Sequence, residues 1–250
     1  MRRRRPLVAV ALAGALVVTA ACSDGIDIPL PPTTTISPDL LTTTTVAPTV
    51  GEPLQVVEQG VVSFPDPYVR GQTLGGYGVV LQNPNAELLA AGVHVTTRIL
   101  DAQGNQLLVD NALLNGVMPG QRMSVGRTLV EPIVGPTQLD IQVEVGGWLT
   151  PAAGLGDLKA TEALTQPELN GGAVTHFAVQ SNAQGDEDGV DVAALYRAAD
   201  GHLLAVETTS IDRLAPGETV VGQIRLLAPI PGLASTEVLV GRGFAAQTVG

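Results

Sequence analysis

At 250 residues, 45% of them hydrophobic, the chain is long enough to bury the core of one large domain or of two of about 100 residues each. Only 15% of residues are charged and 3% aromatic, while 29 Gly, 18 Pro and one Cys point to a β-rich, turn-rich architecture without a disulfide framework. The formal charge of −11, with a single lysine and scattered arginines, supplies no basic stripe to neutralise phosphates, which excludes nucleic acid as a partner.

Met1 to Pro6 is a basic segment, and Leu7 to Ala21 is a 15-residue run of small and aliphatic residues, too short to span about 30 Å of hydrocarbon as a helix. Residues 1–21 are therefore expected to be an export signal. Its removal would take four arginines and no acid, leaving nine basic against 24 acidic side chains, a charge near −15. Residues 22–53 form a tether: Ser23 to Pro53 holds six prolines and eight threonines, with no apolar periodicity to build a packed face. Extended as polyproline II, such a segment reaches roughly 95 Å, and as a flexible coil nearer 30 Å. An unmodified spacer and an O-glycosylated one both fit this composition.

From Gly92 onward the chain repeats itself at an offset of 97 residues. Gly92-Val93-x-Val95 recurs as Gly189-Val190-x-Val192, Gly104 as Gly201, Pro119-Gly120 as Pro216-Gly217, and Pro132-Ile133-x-Gly135 as Pro229-Ile230-x-Gly232. Fifteen of the 55 positions from Gly92 to Gly146 are identical without a gap, mainly turn formers and strand valines. Upstream, one gap sets Gln82 against Gln180.

In the first copy the expected strands are Gly78 to Leu81, Val93 to Leu100, Asn105 to Val109, Met123 to Val130 and Leu139 to Val145. In the second they are Val174 to Val179, Val190 to Tyr196, His202 to Thr208, Val220 to Leu227 and Thr236 to Val240. Ala102 to Asn105 and Ala199 to His202 read as hairpin turns. The fold class is all-β: two tandem small antiparallel Ig-like sandwiches after a disordered N-terminal linker, at residues 54–148 and 157–250. They are expected to fold separately and to be joined near Leu149 to Asp157.

Two resemblances sharpen this reading. Val18-Thr19-Ala20-Ala21-Cys22 resembles the lipobox of bacterial lipoproteins, with Thr19 where that family carries an aliphatic residue. The resemblance implies a diacylglycerol thioether on Cys22, cleavage before it, and a protein held on the extracytoplasmic side of the cell membrane by its lipidated N-terminus. The alternative is an ordinary secretory signal that leaves Cys22 a free thiol. The run Val93-x-Val95 through Ile99-Leu100-Asp101 to Gly104 and Pro119-Gly120 is similar to bacterial extracytoplasmic Ig-like domains with an FxLYD signature, and Val190 through Leu195-Tyr196-Arg197 to Gly201 and Pro216-Gly217 is its second occurrence. Arg197 stands where that pattern has Asp. This resemblance implies binding or structural roles in the envelope and brings no catalytic residue.

Residue patterns that carry chemistry are few. Gly241-Arg242-Gly243-Phe244-Ala245-Ala246 matches Gly-x-Gly-x-x-Ala, but the chain ends too soon for a βαβ unit. His94, His176 and His202 lack metal-ligand spacing, and a hairpin turn accounts for Asp200 beside His202. Trp148 reads as packing in the domain junction. The densest constellation is Asp186-Glu187-Asp188-Gly189-Val190-Asp191, with four carboxylates in six residues. It reads as a solvated acidic loop, with Asp186, Asp188 and Asp191 as the calcium-ligand alternative. The functional expectation is a non-enzymatic, membrane-anchored surface lipoprotein without a cofactor. It would bind or space an envelope protein or cell-wall partner. The alternatives are an accessory subunit or carrier with a site at the junction of the two domains, and a calcium-dependent module.

Overall fold

The computed structural model describes residues 50–66, 68–129, 132–133, 135–152, 155–168, 172–226, 228 and 230–242. The expected export signal, Cys22 and the expected tether as far as Thr49 lie outside them, whereas the last residues of that segment, Val50 to Pro53, are described, with the Glu52 N–H donating to Asn85 Oδ1 at 2.8 Å.

Twelve antiparallel strands build the described chain. The first six are β1 (Gln55–Pro65), β2 (Thr73–Gln82), β3 (Leu89–Leu100), β4 (Gln106–Val117), β5 (Arg122–Leu129) and β6 (Gln138–Leu149). The second six are β7 (Leu158–Pro167), β8 (Ala173–Ser181), β9 (Glu187–Ala198), β10 (Leu203–Leu214), β11 (Thr219–Leu226) and β12 (Leu233–Gly241). Each set makes two three-stranded sheets, β1-β2-β5 over β4-β3-β6 and β7-β8-β11 over β10-β9-β12. Reading the strands of a copy as A, B, C, C′, E and F, each sandwich sets A-B-E against C′-C-F, the Greek-key arrangement of an Ig-like domain.

All ten expected strands are present, and the structure adds β1 and β7 at the start of each copy. Both are edge strands with mostly exposed or half-exposed side chains, and each carries a bulge, at Val56/Glu58 and at Ala160/Glu162. A bulge breaks the strict alternation by which a strand is recognised in sequence. The turns follow expectation. The Asp101 carboxylate accepts from the backbone N–H groups of Gln103 and Asn105, and Gly104 sits at φ +81°.

One core lies inside each sandwich. Tyr77, Val79 and Leu81 of β2 meet Val93, Val95 and Ile99 of β3 in the first, and Phe177 and Val179 of β8 meet Val190, Val192, Ala194 and Tyr196 of β9 in the second. A third cluster joins them: Val80 of β2 packs with Ala193 and Leu195 of β9, Leu203 and Val206 of β10, and the half-buried Leu239 of β12. Sheet β1-β2-β5 thus lies face to face with sheet β10-β9-β12, and the central strands β2 and β9 are buried on both faces along most of their length. The described residues, from 50 to 242, belong to one compact unit.

Glycines permit this approach. A Cβ on Gly78 would sit 2.6 Å from Val206 Cγ2, one on Gly60 1.8 Å from the Leu203 carbonyl oxygen, and one on Gly76 3.1 Å from Ala205 Cβ. The duplication shows what these positions become on the faces away from this contact. Pairing register sets Gly60, Gly76 and Gly78 against Leu164, Val174 and His176 on the outer face of β7-β8-β11. Likewise Ala193, Leu195 and Leu239 correspond to Thr96, Arg98 and Gln142 on the outer face of β4-β3-β6. The two faces that meet are small and apolar. Their counterparts on the outer faces are bulkier or polar, among them the exposed Leu164 and His176 and the partly exposed Arg98.

Candidate functional site

The acidic segment does not assemble a metal site. Glu187 to Asp191 belong to strand β9, whose successive side chains point to opposite faces, so the carboxylates disperse. Asp186 pairs with Arg213, Glu187 lies 2.9 Å from Arg242, and Asp188 stands opposite Arg213 in the β9/β10 register. Asp191 shares its face of β9 with Ala193 and Leu195, toward the first sandwich. Asp186, Asp188 and Asp191 are thus not brought together, and among the described residues no three His, Cys, Asp or Glu form a metal-holding group.

The histidines are exposed, His94 on β3 and His176 on β8, while His202 Nδ1 lies 2.5 Å from Asp200 in the hairpin turn. Trp148 departs from expectation. It packs on the core of the first sandwich, its ring 2.6 Å from where a Cβ on Gly51 would stand, and not between the sandwiches.

Polar chemistry concentrates instead along the contact between the sandwiches. At one end, Glu58 and Arg122 of the first meet Arg197 and Glu237 of the second in a closed ring. Arg122 reaches Glu58 at 2.8 Å and Glu237 at 3.3 Å, and Arg197 reaches them at 2.7 and 2.8 Å. Arg197 is the least exposed of the four at 15%. Nearby, Gln121 donates to the Val240 carbonyl at 2.8 Å. On β5, an edge strand, Thr128 N–H donates at 2.6 Å to the Glu207 carboxylate of β10, so a side chain from one sandwich occupies the open sheet edge of the other. Burial pushes the Glu207 carboxyl above its ordinary range, opposed by this hydrogen bond and by Arg127.

Beside this edge opens a cleft of about 280 Å³, walled by β2, β4 and β5 of the first sandwich and β9 and β10 of the second. Its floor is a polar triad of the buried Tyr77 with the half-buried Asp110 and Arg127. Tyr77 Oη donates to Asp110 Oδ2 at 2.5 Å, Arg127 Nε donates to the same oxygen at 2.9 Å, and Asp110 Oδ1 accepts the Asn111 N–H at 3.1 Å. Burial, and then the neighbouring Asp110 carboxylate, hold the Tyr77 phenol far above its usual range, so it remains a donor. Asp191 faces the triad from the second sandwich. Burial raises its carboxyl above the ordinary range, and among the described residues no ion pair or hydrogen bond to its side chain offsets this. Ser124, 1% exposed, lines the same cleft with its Oγ unpartnered.

Sequence reasoning passed over this site, although one signal was available. In β4 the inward positions are Leu108, Asp110, Ala112 and Leu114, so strand periodicity puts a carboxylate in the core row. Asp191 likewise precedes Ala193 and Leu195 on one face.

No family model and no curated protein matches the sequence. Among solved structures, the chain is similar to the exo-chitosanase CsxA of Amycolatopsis orientalis in complex with PNP-beta-D-glucosamine, at 14% identity and a TM-score of 0.28 over 66% of this chain and 24% of the enzyme. The chain thus spans about a quarter of that protein's length. It is also similar to the CBM22-1-CBM22-2 tandem domain of Paenibacillus barcinonensis Xyn10C, at 11% identity and a TM-score of 0.16 over 77% of this chain and 86% of that one.

Proposed function

We propose that the protein is an exported, lipid-anchored, non-enzymatic binding module of the cell envelope, in which the two sandwiches act as one rigid head on a Thr/Pro tether. The observation that carries the reading is the buried apolar contact through Val80, Leu195, Leu203 and Val206, closed at its rim by the Glu58-Arg122-Glu237-Arg197 ring. Two sandwiches held this way keep a fixed mutual geometry, which suits presenting a composite surface to a partner. The solitary Cys22, after a short apolar run and before 31 tether residues, supplies the attachment. Two or more acyl chains hold a protein on a bilayer where one alone is marginal.

Fractionation of cells producing Cys22→Ser tests the anchor: the variant should leave the membrane fraction or accumulate uncut, and firmly bound, acyl-labelled variant overturns it. Crosslinking on native membranes tests the binding role, with a discrete crosslinked partner as the expected result. The cleft beside Asp191 supports a second reading in which the junction carries a small-molecule site, as an accessory subunit or carrier would need.

A further inference from the structure

The inter-sandwich cleft holds an electrostatic imbalance. Arg127 pairs with Asp110 at 2.9 Å, and Asp191 is a half-buried carboxylate with no cation or donor to its side chain among the described residues. A carboxylate removed from water and left unpaired is costly, and Ser124, which lines the same cleft, adds a second unsatisfied group in its buried Oγ. Both are answered by a donor that enters the cleft. A bare metal ion does not fit, because the described residues offer no three-ligand group, and much of the remaining wall is apolar: Ala112, Leu114, Met123, Val125 and Ala193. A volume near 280 Å³ lies at the small end of ligand pockets.

We propose that this cleft binds a small organic cation, a primary ammonium on a short apolar stem, with the Asp191 carboxylate as counter-ion, the Ser124 hydroxyl as a second acceptor and Met123 against the stem. The assignment rests on reading the chain as a binding module, and its test on purified protein is independent of the tether.

The probe is n-butylammonium, added to the full chain in detergent, with n-butanol and butyrate as uncharged and anionic isosteres at equal ionic strength. Methyl-¹³C-methionine NMR gives the local readout, because Met123 lines the cleft and Met118 does not. Saturable displacement of the Met123 signal by butylammonium alone, with Met118 unmoved, is the expected result. Asp191→Asn should weaken the affinity by about tenfold or more, as expected for a lost charge-assisted contact. Ser124→Ala, which leaves the carboxylate in place, should weaken it less and serves if Asp191→Asn does not fold. Equal responses to the three probes, no saturation of Met123, or undiminished binding in both variants overturns the site. A failure here with intact membrane anchoring leaves the tethered-module reading standing, and loss of anchoring in an amine-binding protein does the reverse.

Discussion

A size swap across the two sandwiches tests the packing between them. Gly78→Ala places a methyl 2.6 Å from Val206 Cγ2 and 3.1 Å from Leu203 Cδ2, too close to keep. Overpacking of this kind costs about 1–3 kcal/mol. Val206 is fully buried, and Val206→Ala removes two methyls worth about 0.8 kcal/mol each in transfer plus a cavity contribution, about 2 kcal/mol altogether. The double variant moves one methyl into the space another has left, so its loss should fall short of the sum of the two singles by about 1 kcal/mol or more. Urea denaturation followed by Trp148 fluorescence supplies the three values, and Trp148 belongs to the first sandwich although Val206 belongs to the second. Strictly additive losses would refute direct packing of β2 on β10.

Glu207→Gln keeps an oxygen to accept the Thr128 N–H but removes a carboxyl whose burial holds it above its ordinary range. The native state therefore holds that proton more tightly than the unfolded chain. Stability from this group is present below the ordinary carboxyl value and is lost as pH rises through the raised one. Melting temperatures between pH 4 and 8 should show a shallower decline in the variant, and an unchanged slope counts against the assignment. Asn83, fully buried, donates to the Leu88 and Val117 carbonyls at 2.7 and 2.9 Å and accepts the Asn85 N–H at 3.0 Å. Asn83→Ala should cost about 3 kcal/mol in chemical denaturation, and a loss under 1 kcal/mol contradicts its role in holding that loop. Melts in 5 mM calcium and in excess chelator should coincide, because Asp186 and Glu187 are occupied by Arg213 and Arg242. A rise of several degrees that Asp186→Asn/Asp188→Asn abolishes would reinstate the calcium site.

What the sequence disclosed follows the physics of each feature. The duplication was legible because the shared residues, such as Gly104 and Gly201 or Pro119-Gly120 and Pro216-Gly217, sit in turns whose backbone demands are local. Strands with one buried face, such as β6 with Ile141, Val143 and Val145 inward, announced themselves by alternation. Strand β2 gave only a fragment of its length, because burial on both faces removes alternation and its glycines resemble a loop. The contact between the sandwiches was hidden for a related reason. It is written in the positions where the copies differ, Gly78 against His176 or Leu195 against Arg98, and a search for repeats looks at the positions where they agree. The candidate cleft depends on Asp110 and Asp191, which lie 81 residues apart in sequence and share a wall only through that contact.

The central claim is that the two sandwiches form one body, and separating them tests it most directly. Residues 155–250 alone would expose Ala193, Leu195, Leu203, Val206 and Leu239, an apolar face that is covered in the whole protein. Produced alone, this half should self-associate or melt well below the full chain, and adding residues 50–152 in trans should restore a soluble one-to-one complex with a higher melting temperature. A second half that is monomeric and melts at the temperature of the full chain, indifferent to the first half, would contradict the account.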